Sequence, residues 1–357
     1  MKNRTNFLVF CILFLCLLPQ TGQPCTTFCI DRGDHPVVGK NYDWGVGDGL
    51  VIINKRGVSK TALSSNADFG QPANWTSKYG SITFNQYGRE TPMGGMNEAG
   101  LVVELMMLRG TEYPAPDSRP MISNLQWIQY QLDNFDSVGE VISSDAHVRI
   151  YPRGSGLHYL VCDKVGNGAS IEFIGGKLVY HTKKTMPVKV LTNDTYAECI
   201  ELFKQGKLPA LDIGRSVERF VRAATMVKDY DPKGSSSAVD YAFDILKTVR
   251  QSVGNPTQWS IVFDMQNLRV YFRTLTNQEI RYIDFKSFDL SCATPVKVLD
   301  INADLSGDVT YSFIDYTKQI NRSLISNAFK KTYHLMFVPE DVIDSRSRYP
   351  ESTICTQ

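Results

Sequence analysis

Hydrophobic and polar positions alternate in two strand-rich blocks separated by helical ones. Residues 25–31 and 37–43 predict a hairpin around Arg32-Gly33-Asp34-His35-Pro36, and strands follow at 50–55 and 81–86. The run Gly-Leu-Val-Val-Glu-Leu-Met-Met-Leu from Gly100 to Leu108 reads as an apolar strand interrupted only by Glu104, the signature of a strand covered on both faces. Ser123 to Phe135 then places Leu125, Ile128, Gln129 and Leu132 at helical spacing, and Ser137 with Glu140 predicts a capping box on a second helix. A second strand block covers 157–163, 169–174, 177–181 and 188–191, followed by helices near 195–204, 215–228 and 238–250, with Asp231 to Ser237 as the loop between the last two. A hairpin of 259–264 and 268–274 turns through Met265-Gln266-Asn267. This alternation predicts stacked sheets with helices outside.

One stretch breaks the globular pattern. Lys2 and Arg4 precede an unbroken apolar run from Phe7 to Leu18, and Pro19 to Pro24 forms a polar, turn-forming exit, as in a secretory signal peptide. As a helix that run would rise about 18 Å, short of the roughly 30 Å hydrocarbon core. The expectation is therefore a removed prepeptide over 1–24, a single domain over 25–357, a secreted or periplasmic location and no stable membrane insertion. Pro24 is a poor residue before a signal-peptidase cut, so cleavage after Gly22 with later loss of Gln23-Pro24 fits better.

Charge narrows the class. The chain has 38 Lys+Arg and 37 Asp+Glu, and losing Lys2 and Arg4 leaves it near neutral, without the basic stripe a nucleic-acid partner requires. Without Cys11 and Cys16, six cysteines remain: Cys25, Cys29, Cys162, Cys199, Cys292 and Cys355. Their wide spacings form no disulfide framework, and neither they nor the five scattered histidines carry a metal-ligand spacing; no metal or other cofactor is expected. His158 and His181 read as partly buried structural residues, and Cys162 as a small core residue.

Cys25 changes the picture most. If processing makes it the first residue, a thiol and a free α-amine share one residue. An amine with a pKa near 7.7–8.0 can take the proton of a thiol near 8.5, replacing the histidine of a protease triad. The chemistry also needs an orienting group for the amine, a cation favouring thiolate and donors for an oxyanion. Asp43 and Lys40, at the end of the strand paired with that of Cys25, fit the first two; without Cys25 they read as solvated strand-end charges. The glycine-rich turn from Gly94 to Gly100 can present a backbone N–H and the Asn97 amide, or be a plain β-turn.

Six ordered motifs then resemble the choloylglycine hydrolase family of penicillin V acylases, conjugated bile-salt hydrolases and related linear-amide hydrolases. They are Cys25-Thr26-Thr27-Phe28, Gly39-Lys40-Asn41-Tyr42-Asp43-Trp44, Gly95-Met96-Asn97-Glu98-Ala99-Gly100-Leu101, Leu191-Thr192-Asn193, Glu218-Arg219-Phe220-Val221-Arg222 and Thr257-Gln258-Trp259-Ser260-Ile261-Val262-Phe263-Asp264. The resemblance implies an α+β fold, the four-layer αββα sandwich of N-terminal nucleophile hydrolases, often a homotetramer. It implies Cys25 as nucleophile and base, Asp43 holding the amine, Asn193 with the Asn97 N–H as oxyanion donors, and Arg219 completing the polar cluster. At Lys40 many members carry arginine, whose planar fork lysine lacks.

Other readings of the later residues stay open. Asn193-Asp194-Thr195 is also a glycosylation sequon and a helix N-cap, and Arg219 could be one of many arginines on an amphipathic helix. Trp44, Met93, Met96, Met106 and Met107 are candidates for an apolar acyl pocket or for plain core. The expected partner is a small N-acyl amide: a bile-salt conjugate, a phenoxyacyl penicillin or an N-acyl homoserine lactone. The competing classes are an exported lipoprotein acylated at Cys25, for which Pro24 and Gly22 are the wrong neighbours, and a papain-like protease, for which no Cys-His-Asn setting is recognisable.

Overall fold

The computed structural model describes residues 25–356 except 34, 64–69, 152–153 and 207–215; the expected prepeptide lies outside the described residues. Two sheets form the centre. A seven-stranded sheet runs in the order Val190–Leu191, Thr26–Ile30, Val37–Asp43, Thr257–Asp264, Arg269–Thr274, Arg281–Asp284 and Gly307–Asp308. The nine-stranded sheet is ordered Lys177–Thr182, Gly168–Ile174, Leu157–Cys162, Val102–Met107, Gly94–Asn97, Ser81–Asn85, Leu50–Asn54, Lys297–Asp300 and Ile314–Asp315.

The strand Thr26–Ile30 meets Val102–Met107 and Leu157–Cys162 across the sandwich, while the helices Ser216–Asp229 and Ala238–Thr248 cover the other face of its sheet. The helix Asn124–Asn134 packs on Gly94–Asn97 and Val102–Met107, which gives four layers, αββα, as the sequence resemblance implied. Strands held between two layers have no polar face, and every residue of Thr26–Ile30 and Val37–Asp43 is buried. Gly39 is required by this packing: it lies opposite Phe28, and a Cβ there would sit 2.3 Å from the Phe28 ring.

Boundaries of the predicted helices agree within a few residues. Ser123 caps the first by accepting the Gln126 N–H at 3.2 Å. The second, Val138–Ser143, departs from the expected box: Ser137 Oγ donates to Glu140 Oε2 at 3.0 Å and offers no cap to the backbone. The supposed glycine-rich turn is a strand over Gly94–Asn97, and only the following residues turn, closed by Gly100 at φ 87°. Glycine adopts that left-handed conformation at little cost.

Beyond the last predicted hairpin the chain continues through the strand Lys297–Asp300 and the edge strand Ile314–Asp315, the helices Lys318–Lys331 and Glu340–Arg348, and the short strand Ile354–Cys355. Cys355 is bonded to Cys292, 63 residues away. The wide cysteine spacing gives no warning of this tie, because the intervening chain first adds two strands at one end of the nine-stranded sheet and then forms both helices. Constraining a loop of that length is worth about 2–4 kcal/mol. Cys355→Ala should lower the unfolding free energy by about that amount in urea titrations; an unchanged midpoint would show that the bond contributes nothing.

Candidate active site

Cys25 immediately precedes the Thr26–Ile30 strand, whose register with Val37–Asp43 sets Thr26 opposite Asn41 and Thr27 opposite Lys40. The far end of the second strand therefore returns to Cys25, and the thiol sits 3.9 Å from the Asp43 carbonyl oxygen. On the other side, Thr27 pairs with Leu191, so the chain leaving the sheet through Thr192 carries Asn193 back to the same place. The Cys25 N–H donates to Asn193 Oδ1 at 2.8 Å.

Arg219 locks these parts together. It lies on the buried face of Ser216–Asp229 with Phe220, Ala223 and Val227. One terminal nitrogen donates to the Cys25 carbonyl and, at 2.7 Å, to Thr26 Oγ1; the other reaches Asn193 Oδ1 at 2.9 Å. The guanidinium is thus no surface group, and burial pulls its pKa down from the ordinary arginine value. Asn193 Nδ2 donates to the Met107 carbonyl at 2.9 Å and its backbone N–H to Ser216 Oγ at 2.7 Å. The N-cap role suggested by the sequon belongs to Thr195, which accepts the Glu198 N–H at 3.3 Å.

Asp43 is fully buried. Oδ1 accepts from the Thr257 hydroxyl, whereas Oδ2 has no hydrogen-bond partner. Burial raises the carboxyl pKa to about 7, against the opposing pull of Arg219, the Thr257 hydrogen bond and Lys40. Burial likewise raises the Cys25 thiol, with Lys40 the largest charge acting to lower it. A buried thiol with a raised pKa is protonated at neutral pH and needs a base before it can attack.

Lys40 is buried between the sheets. Its ammonium donates to the Leu105 carbonyl, lies 3.5 Å from Met106 Sδ and faces Glu104 Oε2 at 3.7 Å. Burial lifts Glu104 to about 8, so the ammonium has a weakly charged partner and much of its field remains for the thiol. A single nitrogen suffices for these contacts, and the planar fork of arginine is not needed.

Asn97 is not brought to this cluster. Its backbone N–H donates to the Leu101 carbonyl at 2.9 Å, its Nδ2 to the Leu132 and Phe135 carbonyls at 2.9 and 2.7 Å, and its Oδ1 accepts the N–H groups of Ala99 and Leu101. It ties a turn to a helix end, and its N–H is not available to an oxyanion. The register brings a different strand edge to the site. Leu108 donates to the Gly156 carbonyl at 3.1 Å, so alternate residues of Val102–Met107 bond to Leu157–Cys162 while Leu105 and Met107 face the other way. Pairing with Gly94–Asn97 ends at Glu104. The Leu105 carbonyl is left to Lys40 and that of Met107 to Asn193; by the register the Met107 N–H lies on the same strand edge, and Met107 lines a cavity with Cys25.

His158, expected to be structural, is fully buried with Nε2 2.7 Å from the Thr192 carbonyl and Nδ1 3.2 Å from Glu172 Oε1. Glu172 Oε1 also accepts the Tyr196 N–H at 2.8 Å, so this pair fixes the segment on both sides of Asn193. Outside the cluster opens a cavity of about 520 Å³, lined by Cys25, Asp43, Trp44, Met93 and Met107 among others. Met96 and Met106 are core residues instead, fully buried.

Comparison with known proteins finds relatives over most of the chain. The linear amide C–N hydrolases of the choloylglycine hydrolase family match residues 25–203 and 208–298. A penicillin V acylase of Pectobacterium atrosepticum is 27% identical over 330 residues, covering 78% of this chain and 86% of that protein. The solved penicillin V acylase from Agrobacterium tumefaciens superposes with a TM-score of 0.71 at 28% identity, over 82% of this chain and 98% of the other. A conjugated bile acid hydrolase variant from Clostridium perfringens, 20% identical, shares the fold with a TM-score of 0.65 over 79% and 98% of the two chains. The chain belongs to the choloylglycine hydrolase family of linear amide C–N hydrolases.

Proposed function

We propose that the chain matures to begin at Cys25 and hydrolyses N-acylated small molecules through a thioester on that residue. The observation that carries this reading is Asp43 Oδ2, a buried carboxylate oxygen without a partner beside Cys25. Such an oxygen is costly unless a charge or donor reaches it, and a free α-ammonium on Cys25 supplies both. The amine, held between Asp43 and Asn193 Oδ1, takes the thiol proton, and the thiolate attacks the amide carbonyl. The free N–H of the Asn193 amide and the Met107 backbone N–H receive the oxyanion. The amine then protonates the leaving nitrogen, and water hydrolyses the thioester.

An oxidising compartment would let the Cys292–Cys355 bond persist, which favours export with loss of residues 1–24. The burial of Cys25 argues against a lipid-bearing role, since an acylated cysteine must reach a bilayer. The thiol is bonded to the Asp43 carbonyl rather than to an imidazole, unlike a papain-type pair. Penicillin V and conjugated bile acids, named for the relatives, both present an apolar acyl group on an amide, as the cavity requires.

Processing has a pH signature. With a peptide bond at the Cys25 nitrogen, Asp43 titrates near 7 in the folded chain against an ordinary 3.8. The folded state then binds the extra proton between those values, so stability is full below about pH 4 and falls by up to about 4 kcal/mol as pH rises through 7. A neighbouring ammonium holds Asp43 ionised and removes this slope. Raised Glu104 contributes a similar fall to both chains, so urea midpoints between pH 4 and 8 should fall more steeply for a chain carrying an extra residue ahead of Cys25 than for one that starts there. Equal slopes would exclude the contact between Asp43 and the amine.

A further inference from the structure

The family match ends at residue 298, yet the cavity that holds Cys25 is completed by chain well beyond it. Phe329, at the end of Lys318–Lys331, Leu335 and Val338 in the connection, and Val342 on Glu340–Arg348 all line it. The rest of its apolar lining, including Trp44, Tyr87, Met93 and Met107, comes from the matched region.

This helix pair is a built wall rather than a tail. Ile325, Phe329 and Ile343 form a buried cluster against which Tyr87, Leu335 and Val338 pack. Arg322 on the first helix holds Asp344 at 2.6 Å and Glu340 at 2.9 Å on the second. Asn321 Oδ1 accepts the Arg89 N–H at 2.9 Å, and its Nδ2 donates to the Ser347 carbonyl at 3.3 Å. Past the second helix, Tyr349 donates to the Thr61 carbonyl at 2.6 Å, and Ile354–Cys355 pairs with Val58 and Ser59 before the bond to Cys292.

A cavity of about 520 Å³ lies within the range that encloses a whole drug-sized ligand. A short acyl group on Cys25 would leave most of it unfilled and forgo the dispersion contacts and water exclusion that apolar walls offer. Two methionines, Met93 and Met107, give the lining adaptable surface for a flexible chain.

We propose that the helix pair over 318–348 is a specificity wall, selecting amides of long apolar acyl chains over short ones by seating the distal end of the chain against Leu335, Val338 and Val342. This rests on the thioester reading above only in placing the carbonyl at Cys25. The wall sets preference among substrates and leaves the reacting atoms alone.

The test uses N-acyl glycines of four, eight and twelve carbons with the processed enzyme, measuring released glycine. For the wild type kcat/KM should rise by roughly threefold to fourfold per methylene until the cavity is filled. Leu335→Trp, and independently Val338→Trp, should cut turnover of the twelve-carbon substrate at least about tenfold and leave the four-carbon one within about twofold. A flat chain-length profile, or equal losses on all three substrates in both variants, would overturn the wall. Calorimetric binding of butanoate, octanoate and dodecanoate to the Cys25→Ala chain reads the wall without hydrolysis. Affinity that climbs with length and drops when Leu335→Trp is added supports it even if no glycine amide is cleaved, in which case only the thioester reading fails; length-independent affinity overturns it.

Discussion

Cys25→Ala should abolish amide hydrolysis while leaving the fold intact. The side chain is small and alanine fills most of its volume, so thermal unfolding should shift little. The loss of the nucleophile, by contrast, removes the covalent route altogether, and the neighbouring groups have other contacts: Asn193 Oδ1 accepts the Cys25 N–H, Asp43 Oδ1 accepts from the Thr257 hydroxyl, and Arg219 donates to the Cys25 carbonyl. Deleting the nucleophile of a serine hydrolase reduces kcat by about 10⁶, and a fall of at least about 10⁴ is expected here. Cys25→Ser should be intermediate, because the hydroxyl holds its proton more tightly than the thiol. Turnover of an N-acyl amide by the alanine variant within tenfold of wild type would exclude Cys25 as nucleophile.

The second large effect needs no change to any side chain. One residue that proteolysis cannot remove, placed ahead of Cys25, turns the amine into an amide with no basic lone pair. The thiol, raised by burial, then keeps its proton. Loss of a positioned general base costs about 10²–10⁴ in rate, and kcat should fall by that factor with circular dichroism unchanged. The extended chain should also leave iodoacetamide labelling of Cys25 slow at pH 7, since labelling follows thiolate content. A fully active extended chain would mean that the proton moves by another group.

Much of this site is legible in the sequence because its residues sit at ends of strands whose pattern is unambiguous. Cys25, Lys40 and Asp43 lie on one hairpin, and a hairpin's register converts spacing directly into proximity. Asn193 and Arg219 are carried only by the ordered motifs, since the pairing of Val190–Leu191 beside Thr26–Ile30 joins Thr27 to Leu191 and Phe28 to Val190, far apart in the chain, and no local pattern announces it. The error at Asn97 has the same origin. An Asn-containing glycine-rich segment offers donors wherever it sits, and only the tertiary structure reveals that Leu101, Leu132 and Phe135 already use them. The Met107 N–H could not be found from residue type, because a backbone group has no sequence signature; its signal was the strand running past the end of its neighbour. The C-terminal helices escaped notice for a further reason: Lys318–Lys331 mixes buried Asn321 and Ser326 with Leu324, Ile325 and Phe329, which blurs the apolar stripe.

The most direct test is the intact mass of the active protein, quenched with acid during turnover of an N-acyl amide and followed by peptide mapping. The account predicts a chain whose first residue is Cys25, with the acyl group added to that residue as a hydrolysable thioester. Active protein that begins at any other residue, or acyl transfer to a different side chain, would contradict it.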